Sequence, residues 1–362
     1  MAKKTQQVQL LTLRIAFLFG LKLVILVTIG LCVCALYRLH YAQETLGGSS
    51  TVPPRSPRSR PLVQDIEGPP KIAFLFLVRR ILPLDFLWGI FFENADSANF
   101  SIYIHSEPGF VFDESTCRSS FFYGRQLSNS IKVEWGESSM IEAERLLLEA
   151  AIEDPANQRF ILLSDSCVPL YNFSYIYNYV MASPRSFVDS FLDAKEKRYN
   201  PKMSPVIPKE KWRKGSQWVT LIRKHAEVIV DDEVVFPVFK KVCKKLKQHD
   251  CISDEHYMQT ILAMSNVEGE LERRTLTYTE WNQSVTKMER SWHPVTFTHA
   301  SVGPQRVNGI KGISHVYYET EFRTEWCRVN STSAPCFLFA RKFSEGAAMR
   351  LLSDRVFGFF DA

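Results

Sequence analysis

Two pairs of charged residues in the second half of the chain each contain a candidate for group transfer: Glu255 in the acidic pair, and both members of the basic pair. Asp254 and Glu255 stand in the segment SDEH, and Arg341 and Lys342 stand in the segment ARKF. A carboxylate can act as a general base, whereas a fixed cation stabilises charge that grows on a leaving phosphate. Each pair also has a structural reading, because carboxylates in the first turn of a helix favour its macrodipole and surface basic pairs are commonly solvated.

Several other arrangements that bind phosphates or metals are absent from the sequence. It contains no GxGxxG, GxxxxGK[ST], HExxH or GxSxG motif, and no Asp-x-Asp pair. Such an aspartate pair can hold a divalent cation on a diphosphate, so a diphosphate bound by this chain would have to be neutralised by Lys or Arg. A zinc site is not favoured either, since no CxxC motif or histidine cluster occurs. We therefore expect no metal and no cofactor.

The composition is that of a large globular chain with mild charge. Its 362 residues are 46% hydrophobic and carry a net charge of +5, enough apolar material for a large core. The densest basic cluster lies between Lys240 and Lys247, where helical spacing favours a solvated helix face over a patch for an acidic partner. A nucleic-acid partner is not predicted, because such partners usually need a denser basic stripe.

An apolar segment near the N-terminus predicts a membrane anchor. Residues 15–37 carry Lys22 as their one charge, and at about 1.5 Å per residue they could span a hydrocarbon core of roughly 30 Å. Basic residues dominate the side before the span, which places the N-terminus in the cytosol. We expect a cytosolic tail (1–14), a transmembrane signal anchor (15–37), a lumenal stem (38–70) and a folded lumenal domain (71–362). A cleaved signal peptide is the alternative.

Glycosylation and cysteine patterns agree with a lumenal domain. A glycosylated chain must face the lumen, and four N-x-Ser/Thr sequons occur, at Asn99, Asn172, Asn282 and Asn330. Six cysteines lie outside the predicted anchor, an even count that favours disulfides in an oxidising compartment. The close pairs Cys243/Cys251 and Cys327/Cys336 are candidates among the many pairings that six cysteines allow.

Alternating strands and helices predict an α/β sheet packed between helices. The apolar run from Lys71 to Val78 is typical of a parallel strand buried on both faces. Further strands are predicted over 100–105, 131–134, 159–163, 216–222 and 336–340, and helices over 138–154, 237–247, 254–264 and 345–352. Ser139 and Glu142 predict a capping box at the start of the first helix.

Five segments, in this order along the chain, carry a resemblance to a known family. They are WGESSMIEAE, NQRFILLSDSCVPL, KGSQWVTLIRKHAEVIV, SDEHYMQTIL and CFLFARKF, between residues 71 and 352. Together they resemble the core-2/I-branching N-acetylglucosaminyltransferase family, in particular its plant branch of brittle-culm type. The resemblance implies a GT-A-like domain, with a mixed, mainly parallel sheet flanked by helices. It also implies an inverting, metal-independent enzyme that uses UDP-sugars.

The resemblance assigns roles to the charged pairs. Glu255 matches the family's catalytic carboxylate, which would take the proton from an acceptor hydroxyl. Lys342 matches the diphosphate-binding lysine, with Arg341 beside it. A further arginine assists this lysine in the family, and either Arg323 or Arg306 could serve here.

Other residues match positions around the two substrates. Trp135 matches an aromatic residue beside the nucleotide, and Trp281 an acceptor-side tryptophan, although either could be a core residue or have another structural role. Lys197 and Arg198 fall where the family places basic acceptor-side residues. His105 departs from the pattern, because animal members carry an aspartate near the ribose at this position.

The predicted function is the transfer of a sugar from a UDP-sugar donor to a glycan or glycoprotein acceptor, by resemblance N-acetylglucosamine in β1,6 linkage. The partners are this donor, the acceptor and, through one helix, the membrane. The predicted location is the Golgi membrane, with single-pass type II topology and a lumenal catalytic domain. The alternative is a catalytically inactive, membrane-tethered carbohydrate-binding or scaffold protein of the same fold, because a fold does not by itself imply activity.

Overall fold

The computed structural model describes residues 68–195, 197–246, 249–281, 293–329 and 331–357, together with Thr28, Leu31 and Cys32. The chain divides into two compact units, residues 1–62 and 63–362, and all strands and helices from Lys71 onward belong to the second. Apart from those three residues, the predicted tail and anchor lie outside the described part, as do the stem up to residue 67, Asn282 and Asn330. Within the described ranges, no helix is long and apolar enough to cross a membrane.

A six-stranded sheet forms the centre of the second unit. The strands of this unit are β1 (Lys71–Leu77), β2 (Phe100–His105), β3 (Asn157–Ser164), β4 (Val168–Pro169), β5 (Ser186–Phe187), β6 (Thr220–Ile222), β7 (Lys245–Leu246), β8 (His249–Asp250), β9 (Leu271–Glu272), β10 (Thr277–Thr279), β11 (His315–Tyr318), β12 (Arg323–Trp326), β13 (Arg328–Val329), β14 (Thr332–Ser333) and β15 (Phe339–Arg341). The central order is β2-β1-β3-β6-β5-β9. Strand β1 pairs in parallel with β2 and β3, whereas β6 runs antiparallel to β3. The sheet is therefore mixed and mainly parallel at its centre.

Helices cover both faces of this sheet. They are α1 (Asp85–Glu93), α2 (Ser138–Ile152), α3 (Phe173–Ala182), α4 (Arg223–Val230), α5 (Val235–Val242), α6 (Tyr257–Met264), α7 (Pro304–Lys311) and α8 (Glu345–Ser353). Side chains of β1 alternate between two apolar cores: Phe74 and Phe76 join α1, α3, α7 and α8, and Ala73 and Leu75 join α2, α4, α5 and α6. This alternation explains why the strand is apolar at nearly every position.

Smaller elements surround the central sheet. Strands β10, β15 and β4 form a three-stranded sheet, and β11 and β12 form an antiparallel hairpin. The predicted disulfides Cys243–Cys251 and Cys327–Cys336 are both present. The two other cysteines of the domain, Cys117 and Cys167, are buried free thiols, so the even count overstated the number of disulfides.

The structure confirms several predicted elements and corrects others. Strands β1, β2 and β3 and helix α8 agree with their predictions within two residues at either end. The predicted capping box is wrong: α2 begins after Glu137 without a side-chain cap, and the Ser139 hydroxyl instead accepts a hydrogen bond from the Glu134 amide at 3.0 Å. Residues 131–134 form no strand, because the Ile131 amide donates to the ring of His105 rather than to a neighbouring strand.

Two predicted helices are shorter than expected. Helix α5 ends before Cys243, where the disulfide to Cys251 turns the chain into the short β7–β8 hairpin. Helix α6 begins at Tyr257, and Glu255 lies before it in a separate 3-10 turn, Ser253–Glu255. The structural interpretation, in which Glu255 stabilises a helix macrodipole, required this residue to lie in the first turn of the α-helix. This requirement is not met.

Candidate active site

A cleft of about 2390 Å³ opens at the carboxyl ends of β1, β2 and β3. Open α/β sheets commonly bind ligands at this edge. Its volume exceeds the roughly 300–1,000 Å³ of a small-molecule pocket, so a nucleotide-sugar and an acceptor could occupy it together. The predicted site residues that line it are His105, Trp135, Arg198, Glu255, Trp281, Arg341 and Lys342.

Glu255 is held in the cleft by two cations. Its Oε2 accepts a hydrogen bond from the Arg198 guanidinium at 2.5 Å, and the Lys214 ammonium lies 3.6 Å from the same oxygen. The Glu255 backbone carbonyl accepts from the Gly215 amide at 2.9 Å. Charge-assisted bonds of this kind fix the orientation of a carboxylate. Arg198, predicted as an acceptor-side residue, thus contacts the candidate base directly.

Gly215 explains how the chain comes so close to Glu255. A Cβ atom at this position would lie 1.7 Å from the backbone oxygen of Asp189, so a residue larger than glycine cannot fit without a backbone shift. Next to it, the Ser216 amide donates to the Asp189 carboxylate at 3.0 Å. Gly215 therefore lies at a close crossing of two chain segments behind Glu255.

Two buried carboxyl groups behind Glu255 were not predicted as site residues. Asp254 lines the cleft but is only 4% exposed, and its Oδ1 has no hydrogen-bond partner among the described residues. Burial, with the negative charge of Glu255 as a second cause, raises the pKa of Asp254 to about 7. Glu144 is fully buried, which raises its pKa, and its Oε1 accepts from the Gln217 amide group at 3.0 Å. The last glutamate of the WGESSMIEAE segment is Glu144, and no pattern in this segment indicates that it lies near the buried Asp254.

A concentration of positive charge lies on another wall of the cleft. Arg341 ends β15, and its guanidinium stacks 4.4 Å from the centre of the Trp218 ring. Burial lowers the pKa of Lys342, as does the positive charge of Arg341 and of Arg79, while Asp165 opposes the shift. Arg79, Arg341 and Lys342 all line the cleft, and three cations together suit a polyanion such as a diphosphate.

His105 lies between the sheet and the cleft as a neutral hydrogen-bonding group. Its Nε2 accepts from the Ile131 amide at 3.0 Å, and burial lowers its pKa to about 4. The proton of the neutral ring is therefore on Nδ1, which has no partner within the described part of the chain. The aspartate of animal members would accept hydrogen bonds here, whereas a protonated Nδ1 can only donate one.

The two tryptophans predicted at the substrates are both exposed in the cleft. Trp135 packs against the ring of His293 at 5.6 Å, and Trp281 is half exposed. Neither belongs to the buried cores, so the core alternative for these residues is wrong.

Three predicted basic residues lie outside the cleft lining. Lys197 is exposed, with a positive φ of 54°, and Arg306 pairs with Glu280. Arg323 is bonded to Glu321 at 2.8 Å and also to Glu325. Arg79, by contrast, lines the cleft, and its positive charge lowers the pKa of Lys342. The binding roles of Lys197 and Arg323 stay predictions.

The two described sequons occupy different settings. Asn99 is partly buried at the end of a short 3-10 turn before β2. Asn172 caps α3, where its side-chain oxygen accepts from the Tyr175 amide at 2.9 Å.

Comparisons with known proteins agree with this geometry. The family model "Core-2/I-Branching enzyme" matches residues 72–311, which include the central sheet and Glu255. Glycosyltransferase BC10 of Oryza sativa subsp. japonica is 51% identical over 317 residues, covering 81% of this chain and 79% of the rice protein. The mixed, mainly parallel sheet fits a GT-A-like domain. The chain belongs to the core-2/I-branching family and is a glycosyltransferase.

Proposed function

We propose that this glycosyltransferase transfers N-acetylglucosamine from UDP-N-acetylglucosamine to a glycan or glycoprotein, in β1,6 linkage and with inversion. One observation carries the proposal: Glu255, fixed by Arg198 at 2.5 Å, lines the same cleft as Lys342 and Arg341. A general base and a diphosphate-binding region must both face the reacting sugar, and this cleft contains a candidate for each.

The proposed reaction is a single displacement. The acceptor hydroxyl gives its proton to the Glu255 carboxylate while its oxygen attacks the anomeric carbon of the sugar. The bond from this carbon to the diphosphate breaks, and the electron pair leaves with UDP. Lys342 and Arg341 stabilise the charge that grows on the diphosphate, which favours the transition state over the bound donor.

We further propose that no divalent metal is needed. Support comes from the absent Asp-x-Asp pair and from the cations around Lys342. The described residues contain no group of three His, Cys, Asp or Glu side chains placed to hold a metal ion. UDP should bind the full-length protein equally well with EDTA and with manganese, and Lys342→Ala should weaken this binding. A calorimetric titration in which UDP binds only with manganese would contradict the proposal.

The catalytic role of Glu255 is tested by Glu255→Gln. This change keeps the size of the side chain but removes the proton acceptor, so kcat should fall on the order of 10²–10⁴-fold. UDP affinity and the melting temperature should stay close to wild type. Glu227→Gln is the matched control, because Glu227 is also paired with an arginine, Arg223 at 3.0 Å, but does not line the cleft.

A panel of nucleotide-sugars, assayed for hydrolysis and transfer with the full-length protein, identifies the donor. Glu255→Gln turning over at wild-type speed would end the proposed mechanism. Carbohydrate binding without turnover of any nucleotide-sugar would favour the inactive binding or scaffold protein instead.

Residence in the Golgi membrane with a lumenal domain is also proposed. Its support is the apolar segment 15–37 and the sequons. Peptide N-glycosidase should lower the mass of the protein made in a secretory host, and protease outside intact microsomes should remove only the N-terminal tail. Digestion of the whole chain would reverse the orientation.

A further inference from the structure

The β11–β12 hairpin presents an aromatic face to solvent. His315, Tyr317 and Trp326 form this face, here called the aromatic strip, with Tyr317 55% and Trp326 58% exposed. His315 and Trp326 are paired across the hairpin, with ring centres 4.8 Å apart. Large aromatic side chains grouped on a surface usually serve binding rather than folding.

The opposite face of the hairpin already provides its attachment to the domain. The Tyr318 hydroxyl donates to Asp189 at 2.6 Å, and the Arg323 guanidinium donates to the Ser190 carbonyl at 3.1 Å. At the turn, Glu321 accepts from Arg273 at 2.6 Å. These bonds hold the hairpin rigidly, so the aromatic strip is not needed to fix it and is pre-organised for a ligand.

These hydrogen bonds place the hairpin on the side of the cleft that contains Glu255, where the proposed function puts the acceptor. Asp189, which Tyr318 contacts, also binds the Ser216 amide, and the neighbouring Gly215 amide donates to the Glu255 carbonyl. An acceptor hydroxyl must lie against Glu255 if this residue is the base. Tyr317 belongs to both surfaces, since it lines the cleft and starts the aromatic strip.

We propose that the aromatic strip binds sugar units of the acceptor glycan that lie beyond the unit being glycosylated. The inference rests on the proposed function, because it takes the acceptor to be a glycan. The strip runs from Tyr317 to His315, about 7 Å along the strand, and so continues the cleft outward. Aromatic faces bind the C–H faces of sugars, and the Thr324 hydroxyl and the His315 Nε2 on the same face can bind sugar hydroxyls.

If the aromatic strip binds outer sugar units, the enzyme should prefer long acceptors over short ones. Single substitutions in the strip should reduce this preference. Probes are β-gluco-, β-galacto- and β-xylo-oligosaccharides from the monosaccharide to the hexasaccharide, offered to the full-length protein in mild detergent. For the series that is glycosylated, Trp326→Ala should lower the ratio of kcat/KM between hexasaccharide and monosaccharide about tenfold, mainly through KM. Tyr317→Ala should have the same direction of effect.

Phe322→Ala is the matched control. Phe322 is 86% exposed in the turn of the same hairpin and does not belong to the aromatic strip, so the length preference should not change. An equal loss in Phe322→Ala would indicate a membrane or a second copy as the occupant and would overturn the proposal. So would an unchanged preference in Trp326→Ala.

Binding separates failure of the inference from failure of the proposed function. Calorimetric titration of the same oligosaccharides into wild type and Trp326→Ala needs no turnover. Weaker hexasaccharide binding by Trp326→Ala supports the aromatic strip even if no nucleotide-sugar is used. Equal binding by the two proteins, or no binding of any oligosaccharide to wild type, overturns it.

Discussion

Replacing Asp254 by asparagine should stabilise the protein at alkaline pH. Burial raises the pKa of Asp254 from 3.8 to about 7. Between these two pH values its carboxyl group is therefore protonated in the folded protein but ionised in the unfolded chain. Because the pKa of Asp254 is higher in the folded protein than in the unfolded chain, this group contributes stability that is fully present below pH 3.8. That contribution is lost as the pH rises through 7. Asparagine is neutral throughout and does not have this loss.

The size of this stability loss follows from the pH interval over which the protonation of Asp254 differs between the folded and the unfolded protein. Between pH 5 and pH 7 the wild type should lose about 1.4 kcal/mol per pH unit through this group, or about 3 kcal/mol in all. The melting temperature of Asp254→Asn minus that of wild type should therefore be larger at pH 8 than at pH 5, by about 5 °C. Thermal unfolding of both proteins at the two pH values measures the difference.

Asp231→Asn provides the control, because it removes the same charge from an exposed side chain. Its effect on the melting temperature should be the same at pH 5 and pH 8. If Asp254→Asn behaves like this control, Asp254 is already ionised in the folded protein at pH 5. The reasoning from its burial would then be refuted.

Three further predictions concern the frame of the site. Gly215→Ala should destabilise the fold by about 3 kcal/mol, seen as a lower melting temperature, because its Cβ would lie 1.7 Å from the Asp189 oxygen. His105 has a depressed pKa of about 4, so the stability present above pH 6.5 should fall as the pH drops from 6.5 to 4, and His105→Gln should show a weaker dependence in the same thermal scans. Replacing Cys243 and Cys251 together by alanine should cost about 2–3 kcal/mol in denaturant unfolding, and no loss would show that the short loop is held by other contacts.

Much of the central architecture could be predicted from local sequence. The apolar run of β1 is unusual enough to indicate a strand covered on both faces, and β2 and β3 follow it with similar composition. The close spacing within Cys243/Cys251 and Cys327/Cys336 identified both disulfides. At the site, the family segments pointed to Glu255 and Lys342, which do line one cleft.

The remaining site features depend on contacts between distant segments. Arg198 lies 57 residues before Glu255 in sequence, so no local pattern indicates their hydrogen bond. The sequence around Asp254 predicts the start of a helix. The burial of its side chain results from tertiary packing, which no local sequence pattern indicates. The β11–β12 hairpin escaped prediction because both strands are only four residues long and β12 carries two charged residues, Arg323 and Glu325.

The two apolar cores divide the cleft between them. Phe339, Ala340 and Phe343, around Lys342, belong to the core on one face of the central sheet. Cys251 and Tyr257, on either side of Glu255, belong to the core on the other face. Since the sheet separates these cores, repacking the first of them can shift Lys342 while Glu255 keeps its geometry. In the proposed mechanism, substitutions in this core would therefore affect use of the donor without contacting either substrate, and would leave the orientation of the base unchanged.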